Sequence, residues 1–175
     1  MLNIKKHVVL GAVLIAALPT AGYAESCKPI TKDEVTAAQK RWAHGIVAIG
    51  KARDHQSAAL NHINTLYGYD LGLVLFKPTK AAQDQFRGTK DEALSYFVKG
   101  SVPEDQGFAL APYTKVRFEN EGIIADCDSA LAMGNYYFTT TQGKDIKVEY
   151  SFGYVRDKNG QIKINLHHSS LPYSF

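Results

Sequence analysis

Four polar residues in the C-terminal third of the chain could supply a base and its partners. Asn135, Glu149, Ser151 and His168 fall in segments where polar and apolar residues alternate. A histidine, a hydroxyl and a carboxylate are the groups that acid–base and nucleophilic mechanisms use. Glu149 and Ser151 are two apart on one predicted strand, and no group that would bind an oxyanion accompanies them. The set therefore favours a hydrogen-bonded or ligand-facing cluster over a catalytic triad.

The remaining histidines do not form a metal site in this interpretation. His55 and His62 lie seven apart on a predicted helix and give two ligands, whereas zinc needs three or four, so we expect solvated surface residues. His167 and His168 are adjacent in a predicted strand and point to opposite faces. We therefore expect no metal and no cofactor.

The first 24 residues have the pattern of an export signal. Lys5 and Lys6 precede an apolar run over 8–18, and Pro19 and a small-residue ending at Ala24 follow. The run is too short for a permanent membrane span, although an N-terminal anchor is the alternative. We predict cleavage after Ala24, a periplasmic or secreted protein, and no membrane contact after cleavage.

The chain has two cysteines, Cys27 and Cys127, and both follow the predicted cleavage site. In an oxidising compartment an even count favours one disulfide, and two free thiols are the alternative. A bridge would close a loop of about 100 residues and hold the new N-terminus in place.

Composition is that of a globular protein: of 175 residues, 45% are hydrophobic and 21% charged. We predict one domain over residues 25–175. Lys and Arg number 20 against 17 Asp and Glu. The leader carries two lysines and no acidic residue, so the mature chain is nearly neutral and nucleic acid is not an expected partner.

Helical patterns come first and strand patterns follow, which predicts an α+β fold. Capping boxes at Thr31 and Thr89 each begin a helix, and a second helix is expected over Ala52–Leu66. The first helix carries an apolar stripe of Val35, Ala38, Trp42, Ile46 and Ile49. Segment Ser101–Tyr113 is predicted to be a surface loop or lid. The predicted strands are 71–76, 113–119, 123–126, 130–141, 146–156 and 161–170.

The Asn159-Gly160 turn predicts the register of the last hairpin and places Ser151 opposite His168. A three-residue turn near Gly143 would place Asn135 opposite Ser151. The sheet then has two sides. The mixed face carries Met133, Asn135, Tyr137, Glu149, Ser151, Leu166 and His168. The aromatic face carries Tyr136, Phe138, Tyr150, Phe152, Tyr154 and His167.

The chain resembles the nuclear-transport-factor-2-like superfamily, in which a curved sheet wraps around a long helix to form a cone with a cavity. It looks most like the association domain of calcium/calmodulin-dependent kinase II and its free-standing bacterial relatives. The likeness rests on segments 75–79, 118–120 and 166–172. It implies that the strand positions which carry arginines in the kinase cavity fall here on Asn135, Ser151 and His168, without any arginine.

These observations predict an exported, non-enzymatic protein that binds a small, partly polar molecule in the cone. The predicted ligand-binding residues are Trp42, Asn135, Tyr137, Glu149, Ser151 and His168. The aromatic face must be covered by helices or by another subunit. We assign Tyr136, Phe138, Tyr150, Phe152 and Tyr154 to an interface that forms a dimer or a larger ring.

Two alternatives remain. The first is a cavity enzyme of the isomerase, dehydratase or cyclase type, with Glu149 or His168 as the base. The second is an assembly module that binds no ligand.

Overall fold

A computed structural model describes residues 28–174. The predicted leader, its cleavage site and Cys27 lie outside this range, so cleavage and the Cys27–Cys127 disulfide stay predictions. The described chain does begin close to Cys127. The Ile30 N–H donates to the carbonyl oxygen of Asp126 at 2.9 Å.

Residues 28–174 contain three α-helices, two of which begin at the predicted capping boxes, while the second begins three residues after its predicted start. Helix α1 (Lys32–Lys51) begins at the Thr31 capping box, α2 (His55–Leu66) at Asp54, and α3 (Lys90–Val98) at the Thr89 capping box. In the first cap, the hydrogen bond from Arg156 and that from the Thr31 N–H lower the pKa of Glu34 to about 2. No helix within residues 28–174 is long and apolar enough to cross a membrane.

Five strands of the described chain form one curved sheet in the order β1-β5-β4-β3-β2. Strand β1 pairs parallel with β5, and the other pairs are antiparallel. The α+β prediction and the fold that the family resemblance implies are confirmed.

Predicted strands 113–119 and 123–126 are one strand, bent by a bulge at 120–122. The strands are β1 (Leu75–Lys77), β2 (Lys115–Ala125), β3 (Ser129–Thr139), β4 (Asp145–Arg156) and β5 (Ile162–Ser170).

The register of the last hairpin is right at its centre and wrong at its turn. Ser151 faces His168 as predicted, but Asp157 rather than Lys158 pairs with Gln161. The turn therefore has three residues instead of two, and a bulge next to Gly153 restores the predicted pairing. In the preceding hairpin Asn135 faces Glu149, two residues from the prediction, because the three-residue loop is centred one residue earlier in the chain. A shift of two residues leaves both faces unchanged.

The aromatic face is the inner wall of the protein. The apolar stripe of α1 packs on it, and the Trp42 ring lies 5.6 Å from the Tyr136 ring and 5.8 Å from the Phe152 ring. Tyr136, Phe138, Tyr150, Phe152 and Tyr154 are each at most 2% exposed in the single chain. They cannot form a subunit interface, so that prediction is corrected. Two apolar surfaces of one chain cover each other without the entropy cost of bringing in a second molecule.

The mixed face is the outer side of the sheet. Within residues 28–174 no helix packs on it, and several of its side chains are exposed, including Leu131 and Met133. The two faces differ in composition as predicted. The aromatic face, however, is the inner wall, whereas the mixed face, on which the cavity was predicted, is the outer side of the sheet.

Candidate active site

Most of the predicted ligand-binding residues do come together, on the outer surface. Asn135, Glu149, Ser151 and His168 line a shallow groove of about 490 Å³. The Ser170 hydroxyl donates to the Glu149 carboxylate at 3.2 Å. Glu149 and His168 are exposed, so neither lies in the apolar cavity that a desolvated base requires.

Two of the predicted residues lie elsewhere. Tyr137 sits further along the mixed face beneath the Arg117 guanidinium, 3.8 Å from its ring centre. Trp42 lies on the opposite, buried side of the sheet. The predicted pocket therefore does not exist as one site. The positions that the resemblance implied, Asn135, Ser151 and His168, lie on the outer side of the sheet, and their neighbours in each strand lie on the inner side.

A polar cluster lies instead on the aromatic face, and we call Thr79, Tyr136, His167 and Ser169 the hydroxyl cluster; Thr79 is half-buried and the other three are buried. Strand β5 places His167 and Ser169 two residues apart on the inner side, and both are 2% exposed. The Thr79 hydroxyl, two residues after β1, donates to the Ser169 hydroxyl at 2.9 Å. The Tyr136 hydroxyl lies 3.5 Å from Nε2 of His167. Hydroxyls and an imidazole thus converge on one point from three segments.

Aromatic rings enclose the imidazole of the hydroxyl cluster. The His167 ring stacks on Phe76 at 4.5 Å between centroids and contacts Phe152 at 4.2 Å. On its other side, the Tyr67 hydroxyl lies 2.8 Å from Nδ1 of His167, and the Trp42 indole donates to that hydroxyl at 2.9 Å. The cluster is therefore a set of polar atoms in an apolar enclosure, as small-molecule sites commonly are.

Burial keeps these groups uncharged. It lowers the pKa of His167 well below the ordinary value, and His168 and His62 add to the shift. Burial raises the pKa of Tyr136, an effect that hydrogen bonds with Ser169 and Thr79 oppose. Burial also raises the pKa of Tyr67. At neutral pH the imidazole and both phenols are neutral, so the site acts through hydrogen bonds.

The loop that carries Thr79 is fastened to the loop that follows α3. The Glu104 carboxylate accepts hydrogen bonds from three successive backbone N–H groups, those of residues 82–84, each at 3.0 Å. The fully buried Arg87 guanidinium binds Asp105 at 2.6 Å. These contacts hold the segment after Thr79 in one position, which fixes its hydroxyl relative to Ser169.

A cleft of about 330 Å³ lies beside the loop that carries Thr79. Lys80, next to Thr79 in the chain, lines the cleft together with Tyr96, Phe108 and Glu104. Tyr96 in turn contacts Phe76, the ring on which His167 stacks. Segment 101–113, predicted as a loop or lid, forms one wall. It contains a 3₁₀ turn (Phe108–Leu110) and buries Val102, Asp105, Ala109 and Tyr113.

His62 differs from its prediction as a solvated residue. It is 5% exposed, and burial lowers its pKa to about 3. Within the described range its Nε2 atom has no hydrogen-bond partner. No group of three or more His, Cys, Asp or Glu side chains within residues 28–174 could hold a metal ion.

The sequence contained part of the signal for this site. Alternation assigns His167 to the aromatic face, and a histidine and a serine two apart on an otherwise aromatic surface are unusual enough to mark it. Thr79 and Tyr67 gave no such signal, since Thr79 precedes Ser169 by 90 residues and Tyr67 precedes His167 by 100.

The curved sheet around a long helix, with polar groups on its inner wall, defines the class of nuclear-transport-factor-2-like proteins. A solved association domain of the calcium/calmodulin-dependent protein kinase II type from Xanthomonas campestris shares this fold. It has a TM-score of 0.60 and 24% identity, over 95% of this chain and 100% of that one.

Within this class, the chain belongs to the metal-independent carbonic anhydrase family, whose model matches residues 33–171. A metal-independent carbonic anhydrase from Nostoc sp. strain PCC 7120 is 41% identical over 155 residues, which are 83% of this chain and 76% of that protein. The crystal structure of a cyanobacterial iota-carbonic anhydrase in complex with bicarbonate is also similar. Its TM-score is 0.81 at 40% identity, over 84% of this chain and 95% of that one.

These findings overturn the prediction of a non-enzymatic binding protein. The family is named for an enzyme, so the enzyme alternative is the better one. The particular bases proposed for it, Glu149 and His168, nevertheless lie exposed on the mixed face.

Proposed function

We propose that the protein interconverts carbon dioxide and bicarbonate at the hydroxyl cluster. The observation that carries this proposal is the convergence of the Thr79, Tyr136 and Ser169 hydroxyls beside a neutral, buried His167. Family membership and the bicarbonate complex of a relative 40% identical support the same substrate.

Hydroxyl groups suit a small substrate that changes charge during the reaction. In hydration, the oxygen of a water molecule bonds to the carbon, one C=O electron pair moves onto its oxygen, and a proton leaves for the solvent. The developing negative charge then lies on oxygen atoms that the cluster can reach with hydrogen-bond donors. Donors held in place in a low-dielectric enclosure stabilise such charge more strongly than water does.

The first experiment compares two adjacent serines. Ser169 lies in the hydroxyl cluster, whereas Ser170 lies on the outer side of the same strand. Stopped-flow hydration of carbon dioxide is measured in a chelating buffer for the wild type, Ser169→Ala and Ser170→Ala. We expect Ser169→Ala to lower kcat/KM about a hundredfold, the usual cost of losing one such donor, and Ser170→Ala to have no effect. Equal losses in both variants, or an inactive wild type, would contradict the proposal.

We also propose that the protein acts outside the cytoplasm, after removal of residues 1–24. The leader pattern and the cysteine pair support this location. The mass of the protein recovered from an exporting host tests it, with and without reductant. The expected mature chain begins at Glu25 and gains two mass units on reduction. A full-length chain recovered with the cells would contradict the proposal.

Self-association is proposed through the mixed face. One apolar row crosses all five strands, because Ile124 faces Leu131, which faces Gly153, and Leu166 and Leu75 continue the row. Ile124 is 72% and Leu131 52% exposed in the single chain. A second copy related by a two-fold axis would match this row with itself.

The size of this face suits a second copy. Five strands about 4.8 Å apart and six residues about 3.3 Å apart give a plane of about 24 by 20 Å. That plane is about 480 Å², or about three fifths of the about 800 Å² that each partner buries in a stable complex, and the relief of its side chains adds to it.

Analytical ultracentrifugation tests the dimer. Leu131→Glu is expected to give a folded monomer, since this position is exposed in the single chain. Leu60→Glu, at a 39% exposed position on α2, is expected to leave the dimer intact. A wild-type monomer, or an unchanged mass for Leu131→Glu, would contradict this interface.

A further inference from the structure

Four buried side chains form a continuous hydrogen-bonded chain that ends at the hydroxyl cluster. The Trp42 indole nitrogen lies 2.9 Å from the Tyr67 oxygen, which lies 2.8 Å from Nδ1 of His167. Nε2 of His167 lies 3.5 Å from the Tyr136 oxygen. Each of these residues is at most 2% exposed, so water does not compete for the hydrogen bonds.

The first member determines the direction of the whole chain. An indole N–H can donate but cannot accept, so the Tyr67 oxygen must accept from Trp42. Within residues 28–174, Nδ1 of His167 is the atom within hydrogen-bond distance of the Tyr67 oxygen that could accept its proton. A nitrogen that accepts carries no hydrogen, so the proton of the neutral imidazole must be on Nε2.

The opposite tautomer would leave a buried proton unsatisfied. If Nδ1 carried the hydrogen, the Tyr67 oxygen would accept from both Trp42 and His167. The phenolic proton of Tyr67 would then have no hydrogen-bond acceptor among the described residues. Buried polar groups without partners are rare because they are costly.

We propose that Trp42 is a positioning residue which, through Tyr67, holds His167 in the tautomer that carries its proton on Nε2. His167 is then a hydrogen-bond donor to Tyr136 and not a base. With its oxygen occupied by His167, Tyr136 is left to donate its own proton toward Thr79, Ser169 or a bound oxygen atom. The consequence for catalysis rests on the proposed function, whereas the tautomer itself does not.

The tautomer can be measured without an activity assay. In long-range ¹H–¹⁵N correlation spectra of protein labelled at histidine nitrogens, a protonated ring nitrogen gives a pyrrole-type signal and an accepting one a pyridine-type signal. The His167 signals are assigned by their loss in His167→Gln. We expect Nε2 of wild-type His167 to be pyrrole-type and Nδ1 to be pyridine-type at pH 7 to 8.

Two variants separate the hydrogen bond from packing. Trp42→Phe keeps an aromatic ring but removes the indole N–H, so we expect both tautomers to be populated and the two ¹⁵N shifts to approach each other. Phe118→Leu is the control, because the Phe118 ring packs 5.8 Å from that of Trp42 and 5.3 Å from that of Tyr136 but cannot form a hydrogen bond with either. Its His167 signals should match the wild type.

The outcomes decide both proposals separately. A wild-type His167 protonated on Nδ1, or unchanged signals in Trp42→Phe, would overturn the inference. If Trp42→Phe does not fold, the wild-type spectrum and Tyr67→Phe, which removes the donor to Nδ1, decide instead. An inactive wild type with the expected tautomer would refute the proposed function and leave this inference standing. In an active protein, Trp42→Phe should lower kcat about tenfold or more and change KM little.

Discussion

Acid should destabilise this protein through His62, and the size of the effect follows from its burial. Burial lowers the pKa of His62 from 6.5 to about 3 in the folded state. Between these values the unfolded chain binds a proton that the folded chain does not, so the free energy of unfolding falls as the pH falls below 6.5. At pH 5.5 the unfolded imidazole is mostly protonated, and the loss is about 1.4 kcal/mol relative to pH 8.

His167 adds to this effect in the same direction, since its pKa is also lowered by burial. The wild type should therefore lose more than the about 1.4 kcal/mol that His62 alone accounts for between pH 8 and pH 5.5. Few carboxylates titrate in this window, because their unfolded pKa values lie near 4.

The assay is urea denaturation at pH 8 and pH 5.5 for the wild type and His62→Leu. Leucine fills a similar space, and the Nε2 atom that it removes has no hydrogen-bond partner within residues 28–174. We expect the stability loss of His62→Leu over this interval to be about 1.4 kcal/mol smaller than that of the wild type. His44→Gln, at an exposed position on α1, is the control and should lose as much as the wild type. If His62→Leu and the wild type lose the same amount, the imidazole is not held neutral and the reasoning fails.

Two further predictions concern packing. Gly45→Ala should destabilise the protein by about 1–3 kcal/mol, because an added Cβ would lie 2.0 Å from the His62 ring, whereas Gly88→Ala meets open space and should change little. Phe152→Ala should cost about 3–5 kcal/mol, since Phe152 is completely buried, while Met133→Ala on the mixed face should change unfolding by less than about 0.5 kcal/mol in a monomer. Thermal or chemical denaturation measures the stability of all four variants. Similar losses for the two glycine variants would contradict the close contact of Gly45 with His62, and similar losses for Phe152→Ala and Met133→Ala would contradict the assignment of the aromatic face to the core.

Local rules were sufficient for most of the fold. The capping boxes at Thr31 and Thr89 begin helices because a side chain and a backbone N–H satisfy each other within four residues. The pairing of Ser151 with His168 was predicted correctly although the turn was not. A longer turn and a bulge near Gly153 displace the register in opposite directions, and neither can be read from residue types alone.

The site could not be predicted because it depends on which face the helix covers. Alternation separates His167 from His168 without saying which of the two points inward. The partners that make His167 functional in our proposal, Thr79 and Tyr67, come from distant segments. Their approach is fixed by β1 pairing beside β5 and by the bonds of Glu104 to the Thr79 loop, which no local pattern encodes.

The exchange of ¹⁸O between carbon dioxide and water, followed by mass spectrometry in a chelating buffer, tests the central claim most directly. His167 and His168 are neighbours in sequence and lie on opposite faces of β5, so His167→Gln and His168→Gln form a matched pair. We predict that the wild type and His168→Gln catalyse the exchange and that His167→Gln is slower by about a hundredfold. Full activity in His167→Gln would contradict this account. A loss confined to His168→Gln would also contradict it and would place the chemistry on the mixed face.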